Sequence, residues 1–144
     1  MKILYGIQGT GNGHISRGKF IYKLLQQYSN NIDVLISGNN YSLKPTMPIK
    51  YFNKGITFAI TNGKIDYLKT LSNFDLYTSY LEQKKISFQE YDLIITDFEP
   101  ITAWSSVRYN IPSIHISHQA SFIDKGVPRP KSKNLLGEYV MKYF

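Results

Sequence analysis

The sequence of 144 residues contains no cysteine and no apolar stretch long enough to cross a membrane. Without cysteine the chain can form neither a disulfide framework nor a thiolate metal site. A membrane-spanning helix needs about 20 apolar residues, and the first residues, MKILYGIQGT, lack the cleavage site of a signal peptide. We therefore expect a cytoplasmic protein, either soluble or peripheral on the inner face of the membrane.

Acidic residues are few, since 10 Asp and Glu stand against 17 Lys and Arg and leave a formal charge of +7. Such an excess is typical of proteins that bind polyanions: nucleic acid, an anionic membrane surface or phosphorylated substrates. Because 14 of the 17 basic residues are lysine, the excess is equally typical of an AT-rich genome. Charge alone leaves the partner open.

Hydrophobic residues make up 42% of the chain, which predicts one globular domain over residues 1–144. The first part alternates between strand and helix. A buried strand is predicted at Lys2–Ile7, followed by a glycine-rich loop and a helix with apolar spacing from Ile15 onward. Asn12 or Gly13 is the expected helix cap, and Ile32–Ser37 is the second strand.

The remainder of the chain repeats this alternation. Strands are predicted at Ile49–Phe52, Ile56–Ile60, Asp92–Thr96 and Pro112–Ser117, and helices at Ile65–Ser87, Pro100–Tyr109 and Leu135–Phe144. Alternating strands and helices indicate an α/β fold, with a Rossmann-like parallel sheet flanked by helices. Ligands of such a fold bind beyond the carboxyl ends of its strands.

The segment GIQGTGNGHISRG, residues 6–18, has five glycines in thirteen positions and leads from the first strand into the first helix. It does not match the dinucleotide fingerprint G-x-G-x-x-G, because His14 stands where the third glycine belongs. It also fails as a phosphate loop of the G-x-x-x-x-G-K-[ST] type, because Phe20 replaces the hydroxyl residue. Glycines at this turn would let backbone N–H groups approach a ligand.

Three segments in order, GTGNGHISRG, DFEP and IPSIHISHQ, resemble the N-terminal domain of a GT-B glycosyltransferase. The likeness is to the group that includes the lipid-linked N-acetylglucosaminyltransferase of peptidoglycan synthesis, and to related transferases. The resemblance implies an acceptor-binding domain whose nucleotide-sugar donor, a UDP-sugar, binds a second domain. That donor domain is absent from this sequence, so it would be a missing C-terminal domain or a separate subunit. The resemblance implies no cofactor bound by this chain.

His14 and Asp97 are the predicted catalytic residues. The positive end of the first helix disfavours a charged imidazole, which leaves the His14 ring able to take a proton. In several families of the GT-B glycosyltransferases that this sequence resembles, a histidine in this loop is the base of an inverting transfer. A carboxylate bonded to it would orient the ring and stabilise its charged form. The alternatives are that His14 caps the helix or binds phosphate, and that Asp97 caps the helix at Pro100.

The resemblance also implies a set of acceptor contacts around this pair: Gly11, Asn12, Gly13, Glu99, His118 and Gln119. Glu99 has a structural alternative, as a charge in the first turn of the helix that follows it. His115 alternates with isoleucines and is predicted to be a core residue. The spacing of the three histidines gives no metal signature.

A basic loop near the C-terminus, FIDKGVPRPKSK, mixes apolar and cationic residues. Its cations, Lys125, Arg129, Lys131 and Lys133, would contact an anionic membrane surface or the acceptor's phosphates, or would simply be solvated. We expect a glycan or lipid-linked acceptor from the cell envelope, and self-association stays open. The rival hypothesis is a non-enzymatic basic α/β module for nucleic acid or nucleotide, although no RNA-binding motif favours nucleic acid.

Overall fold

The computed structural model describes residues 1–54, 60–61, 64–65, 76–118 and 126–128. Its strands, in chain order, are β1 (Ile3–Thr10), β2 (Ile32–Asn40), β3 (Tyr51–Asn53), β4 (Ile60–Thr61), β5 (Lys64–Ile65), β6 (Leu93–Asp97) and β7 (Ser113–His115). Its helices are α1 (Asn12–Leu25), α2 (Leu76–Lys84) and α3 (Pro100–Arg108), with a 3₁₀ turn at Phe88–Glu90.

Five strands form one parallel sheet in the order β3-β2-β1-β6-β7. The chain winds outward from β1 to β3 on one side and from β6 to β7 on the other. The winding therefore reverses between β1 and β6, which is where ligands bind in open α/β sheets. β4 and β5 form a separate antiparallel pair.

The core lies on both faces of this sheet because successive residues of a strand point to opposite faces. Tyr5 and Ile7 of β1 pack with Ile15 of α1 on one face. Leu4 packs with Ile101 of α3 on the other face. Parallel strands covered on both sides read as continuous apolar runs, and this explains why β1 and β6 were recognisable in the sequence.

The α/β, Rossmann-like fold is confirmed, with corrections at several boundaries. α1 begins at Asn12 and its N-cap is Gly11, so the expected cap at Asn12 or Gly13 is wrong. Ile65 lies in β5, so the helix predicted from Ile65 starts too early; the described helix in that region is α2. The predicted strand Ile56–Ile60, except Ile60, and the helix Leu135–Phe144 lie outside the described residues.

The prediction of His115 as a core residue is also wrong, because its side chain is exposed. β7 pairs with β6 on one side and is an edge of the described sheet. All three β7 residues are exposed. Alternation with isoleucine therefore did not indicate burial here, since Ile114 is itself exposed.

Close packing of α3 on β1 requires a glycine at position 6. A Cβ atom on Gly6 would lie 2.2 Å from Oγ1 of Thr102. Thr102 is fully buried in the first turn of α3, so the helix would have to move away from the sheet.

We predict that Gly6→Ala lowers the free energy of unfolding by about 1–3 kcal/mol, the range for overpacking a core. Gly13→Ala is the matched control, because a Cβ there meets nothing within 4 Å and alanine favours a helix. Urea unfolding of both variants measures the effect. Equal stability of the two variants would contradict the packing argument.

Candidate functional site

The ends of β1 and β6 bring the glycine-rich loop and the DFEP segment to one edge of the sheet. β1 and β6 are neighbouring parallel strands, and Ile7 pairs with Asp97 in their register. Beyond Ile7, β1 runs on to Thr10 and the chain turns into α1. The first turn of α1 therefore stands next to Asp97, at the point where the winding of the sheet reverses.

The glycines of this loop serve two different purposes. Gly9 and Gly18 permit the protein's own packing, since a Cβ on Gly9 would lie 2.3 Å from the Gly38 carbonyl oxygen and one on Gly18 2.7 Å from Ile7. Gly11 has a φ of +81°, which other residues rarely adopt. A Cβ on Gly11 would meet nothing within 4 Å. The backbone at the start of α1 is therefore open on this side.

Asn12, a predicted acceptor contact, is used to hold a neighbouring loop. Its side-chain carbonyl accepts hydrogen bonds from the backbone N–H groups of Ser42 (2.9 Å) and Leu43 (3.0 Å). Its amide donates to the Ser42 hydroxyl at 3.0 Å. These bonds join the loop after β2 to the start of α1. Acceptor binding by Asn12 stays a prediction.

The structure brings His14 and Asp97 together. His14 Nδ1 lies 2.9 Å from Asp97 Oδ1, although the two residues are 83 positions apart. The Asp97 side chain has none of its surface exposed, whereas His14 keeps 14% of its side chain accessible. The histidine therefore stands between a buried carboxylate and the solvent side of the crevice.

Arg17 is the third member of this cluster and was missed in the sequence. Its Nε donates to Asp97 Oδ2 at 2.9 Å, and its Nη2 donates to Asp97 Oδ1. The guanidinium thus holds both oxygens of the carboxylate, the fork geometry that suits arginine. Arg17 follows His14 by three positions on one helix, and such residues share a face. That spacing was the available signal.

The protonation of the pair follows from this network. Burial raises the pKa of Asp97, but the hydrogen bonds from His14 and Arg17 and the charge of the guanidinium outweigh burial and bring the pKa below its usual value. Asp97 is therefore ionised at neutral pH. An ionised oxygen 2.9 Å from Nδ1 requires a proton on Nδ1, so the tautomer assigned by this network leaves Nε2 unprotonated.

Phe98, which the sequence analysis did not predict as a site residue, also contacts the His14 ring. Its ring stacks on the imidazole with centroids 6.2 Å apart and 12° between the planes. Phe98 has a φ of 52°, a costly conformation for a bulky residue. Thr96 fixes the turn, since its hydroxyl donates to the Glu99 carbonyl oxygen at 2.9 Å. The strained turn thus places both Asp97 and Phe98 in contact with His14.

Glu99 is fully buried and caps α3. Its carboxylate accepts hydrogen bonds from the Ser37 hydroxyl, the Ile101 and Thr102 backbone N–H groups, and the Thr102 hydroxyl. Burial raises its pKa, against these donors, which lower it. The helix cap is therefore Glu99, and the alternative in which Asp97 caps this helix is wrong. The geometry gives Glu99 a structural role, and its contact with an acceptor stays a prediction without support here.

An open cleft of about 570 Å³ lies beside His14. The described residues that line it are Gly13, His14, Ser16, Arg17, Phe20 and His118. His118, a predicted site residue, therefore shares a cleft with His14, whereas Ser16 and Phe20 were not predicted. Gln119 and the cations of the basic loop, Lys125, Arg129, Lys131 and Lys133, lie outside the described residues.

The described residues offer neither a cluster of metal ligands nor a membrane-spanning helix. No three or more His, Cys, Asp or Glu side chains in this part of the chain are placed to share a metal ion. No helix within the same residues has the length and apolar character to cross a bilayer.

Comparison with known protein families gives a match over most of the chain. The sequence model of the family described as glycosyl transferase family 1 matches residues 1–136. The matched range includes β1, α1, β6 and the loop with His118, and hence all the described residues of the cleft. No curated protein and no solved structure matches the chain.

The paired carboxylate predicts a dependence of stability on pH. Because the pKa of Asp97 is lower in the folded chain, its contribution is present above the unfolded pKa of about 4 and is lost as pH falls through the folded value. Removing one partner of a buried pair costs about 3 kcal/mol or more. Asp97→Asn should therefore be less stable than the wild type at pH 7, and the difference should shrink below pH of about 4.

Urea unfolding between pH 2.5 and 7 measures this difference. Glu90→Gln is the control, because Glu90 forms an exposed ion pair with Lys2 that water screens. Its effect should be much smaller at every pH. A gap between wild type and Asp97→Asn that stays constant across the range would show that Asp97 is not a paired carboxylate.

Proposed function

The chain belongs to glycosyl transferase family 1, and we propose that its cleft binds the acceptor of an inverting glycosyl transfer and deprotonates the acceptor hydroxyl at His14. The observation that carries this proposal is the His14 Nδ1–Asp97 Oδ1 contact of 2.9 Å at the edge of the cleft. It leaves the basic Nε2 for a group in the cleft, which is the arrangement a general base requires.

The reaction that we propose is a single displacement. An acceptor hydroxyl binds within hydrogen-bonding reach of His14 Nε2, about 2.6–3.2 Å. Its oxygen forms a bond to the anomeric carbon of the donor sugar, while its proton passes to Nε2. The bond between the anomeric carbon and the phosphate oxygen breaks, and the nucleoside diphosphate leaves with the electron pair. Attack from the opposite face inverts the anomeric carbon.

Asp97 would stabilise the charged imidazole formed in this step. The carboxylate is ionised, buried and bonded to Nδ1, so it need not reorganise as charge develops on the ring. A buried aspartate behind a catalytic histidine has this effect in hydrolases, where it orients the ring and remains ionised. Phe98 adds to the orientation by stacking on the same ring.

The substrates that we propose are a UDP-sugar and a lipid-linked or cell-envelope glycan. The net charge of +7 supports an anionic acceptor such as a lipid pyrophosphate. The resemblance of the glycine-rich loop and the DFEP segment to the peptidoglycan N-acetylglucosaminyltransferase group supports the same class. We propose that the donor is bound by a second domain or subunit facing this cleft, and that the cleft alone does not transfer sugar.

His14→Gln tests the base directly. In the chain combined with its nucleotide-sugar-binding partner, kcat should fall about 10²–10⁴-fold, because the contribution of a positioned general base is lost. KM for the acceptor should change little, since the proton transfer belongs to the transition state. Release of nucleoside diphosphate is the measurement.

His118→Gln is the matched control, because His118 lines the same cleft and is proposed to contact the acceptor. It should raise KM more than it lowers kcat. If His14→Gln keeps the kcat of the wild type, His14 is not the base and the proposal fails.

A further inference from the structure

We infer that Arg17 is a positioning residue that balances the buried charge of Asp97 and so limits how strongly that charge favours a protonated His14 ring. The catalytic consequence rests on the proposed function, since only a neutral His14 can accept the hydroxyl proton. The charge balance itself concerns the folded chain and can be measured without turnover.

The geometry gives Asp97 two contacts from Arg17 and one from His14. Arg17 Nε and Nη2 contact the two carboxylate oxygens, while His14 contacts one of them. Arg17 Nη2 also lies 3.1 Å from His14 Nδ1. Since Nδ1 carries a proton in the assigned tautomer, this contact places two donors side by side on Oδ1. The fixed positive charge is therefore close to the ring as well as to the carboxylate.

The consequence for His14 follows from the position of the next proton. A proton added to the ring binds at Nε2, so the bonds at Nδ1 and Oδ1 stay the same. What changes is the charge on the ring, which Asp97 favours and Arg17 disfavours. A negative charge at this distance favours the charged form of a basic group and raises its pKa by about 1–3. Without Arg17, the charge of the buried carboxylate would act on the ring unopposed.

The other groups that face this pair do not supply the fixed charge. Tyr5 of β1 is buried, and burial and the charge of Asp97 raise the pKa of its hydroxyl, so it is neutral. Partial desolvation lowers the pKa of the exposed His115 on β7 while Asp97 raises it, and the net shift is downward. His118 lines the same cleft as His14. Of the described groups, Arg17 alone brings a permanent cation against Asp97.

NMR titration of the three histidine rings tests the inference in the folded chain. The His14 signals are assigned by their loss in His14→Gln. In Arg17→Gln, the midpoint of the His14 titration should rise by about one pH unit or more. In Asp97→Asn, where Arg17 has no counter-charge, it should fall. The double variant Arg17→Gln, Asp97→Asn should return towards the wild-type midpoint, because both charges are gone.

Lys23→Gln is the control for the loss of a cation from the same helix. Lys23 is exposed and lies in the last turn of α1, so its removal should leave the His14 midpoint unchanged. If Arg17→Gln is too unstable to measure, Asp97→Asn and the double variant still decide, because the former must titrate lower than the latter. Equal midpoints in those two variants, or an unchanged midpoint in Arg17→Gln, would overturn the inference.

The pH dependence of transfer gives a second readout. The acid limb of kcat/KM should move to higher pH in Arg17→Gln, and kcat should recover as pH rises above that limb. A variant that raises KM at every pH without moving the limb would identify Arg17 as a substrate contact and overturn the positioning role. If His14→Gln retains activity, the proposed function fails, yet the titration still reports on the charge balance.

Discussion

One buried carboxylate organises the site. Asp97 has no exposed surface and sits at the end of β6, where it meets two side chains from the first turns of α1. Both are nitrogen donors, so the carboxylate stays ionised without solvent. Removing either donor would leave a buried charge only partly compensated, which costs several kcal/mol. The relative placement of β6 and α1 is therefore coupled to the electrostatics of the cleft.

The surrounding chain reinforces that placement. Glycines at positions 6, 9 and 18 let two helices and a neighbouring strand pack closely around β1. The buried Glu99 fixes the start of α3 by accepting hydrogen bonds from its first turn and from Ser37 of β2. The turn between Asp97 and Glu99 carries the strained Phe98 against the imidazole. The stability of the sheet and the orientation of the His14 ring thus depend on the same few contacts.

Much of the fold could be predicted from the sequence, because strands buried on both faces are apolar runs and the glycine-rich turn marks where β1 passes into α1. The rule that strand ends share one crevice predicted Asp97 and Glu99 near His14, and the family resemblance selected Asp97 as its partner. The place of Arg17 in the site could not be predicted, because the sequence does not show which face of α1 meets β6. The contact of Phe98 with His14 could not be predicted either, because it depends on a positive φ at a bulky residue, which no sequence pattern indicates. The role of Glu99 depended on burial, and His115 was misplaced because an edge strand and a central strand have the same sequence pattern.

The proposed role of His14 as a base depends most directly on its tautomer. Labelling the histidines with ¹⁵N and recording the couplings of the ring nitrogens at neutral pH distinguishes a proton on Nδ1 from one on Nε2. We expect Nδ1 to carry the proton, directed at Asp97, and Nε2 to be unprotonated. A ring protonated at Nε2, with Nδ1 bare beside Arg17, would contradict the assignment of His14 as a base ready to receive the acceptor's proton.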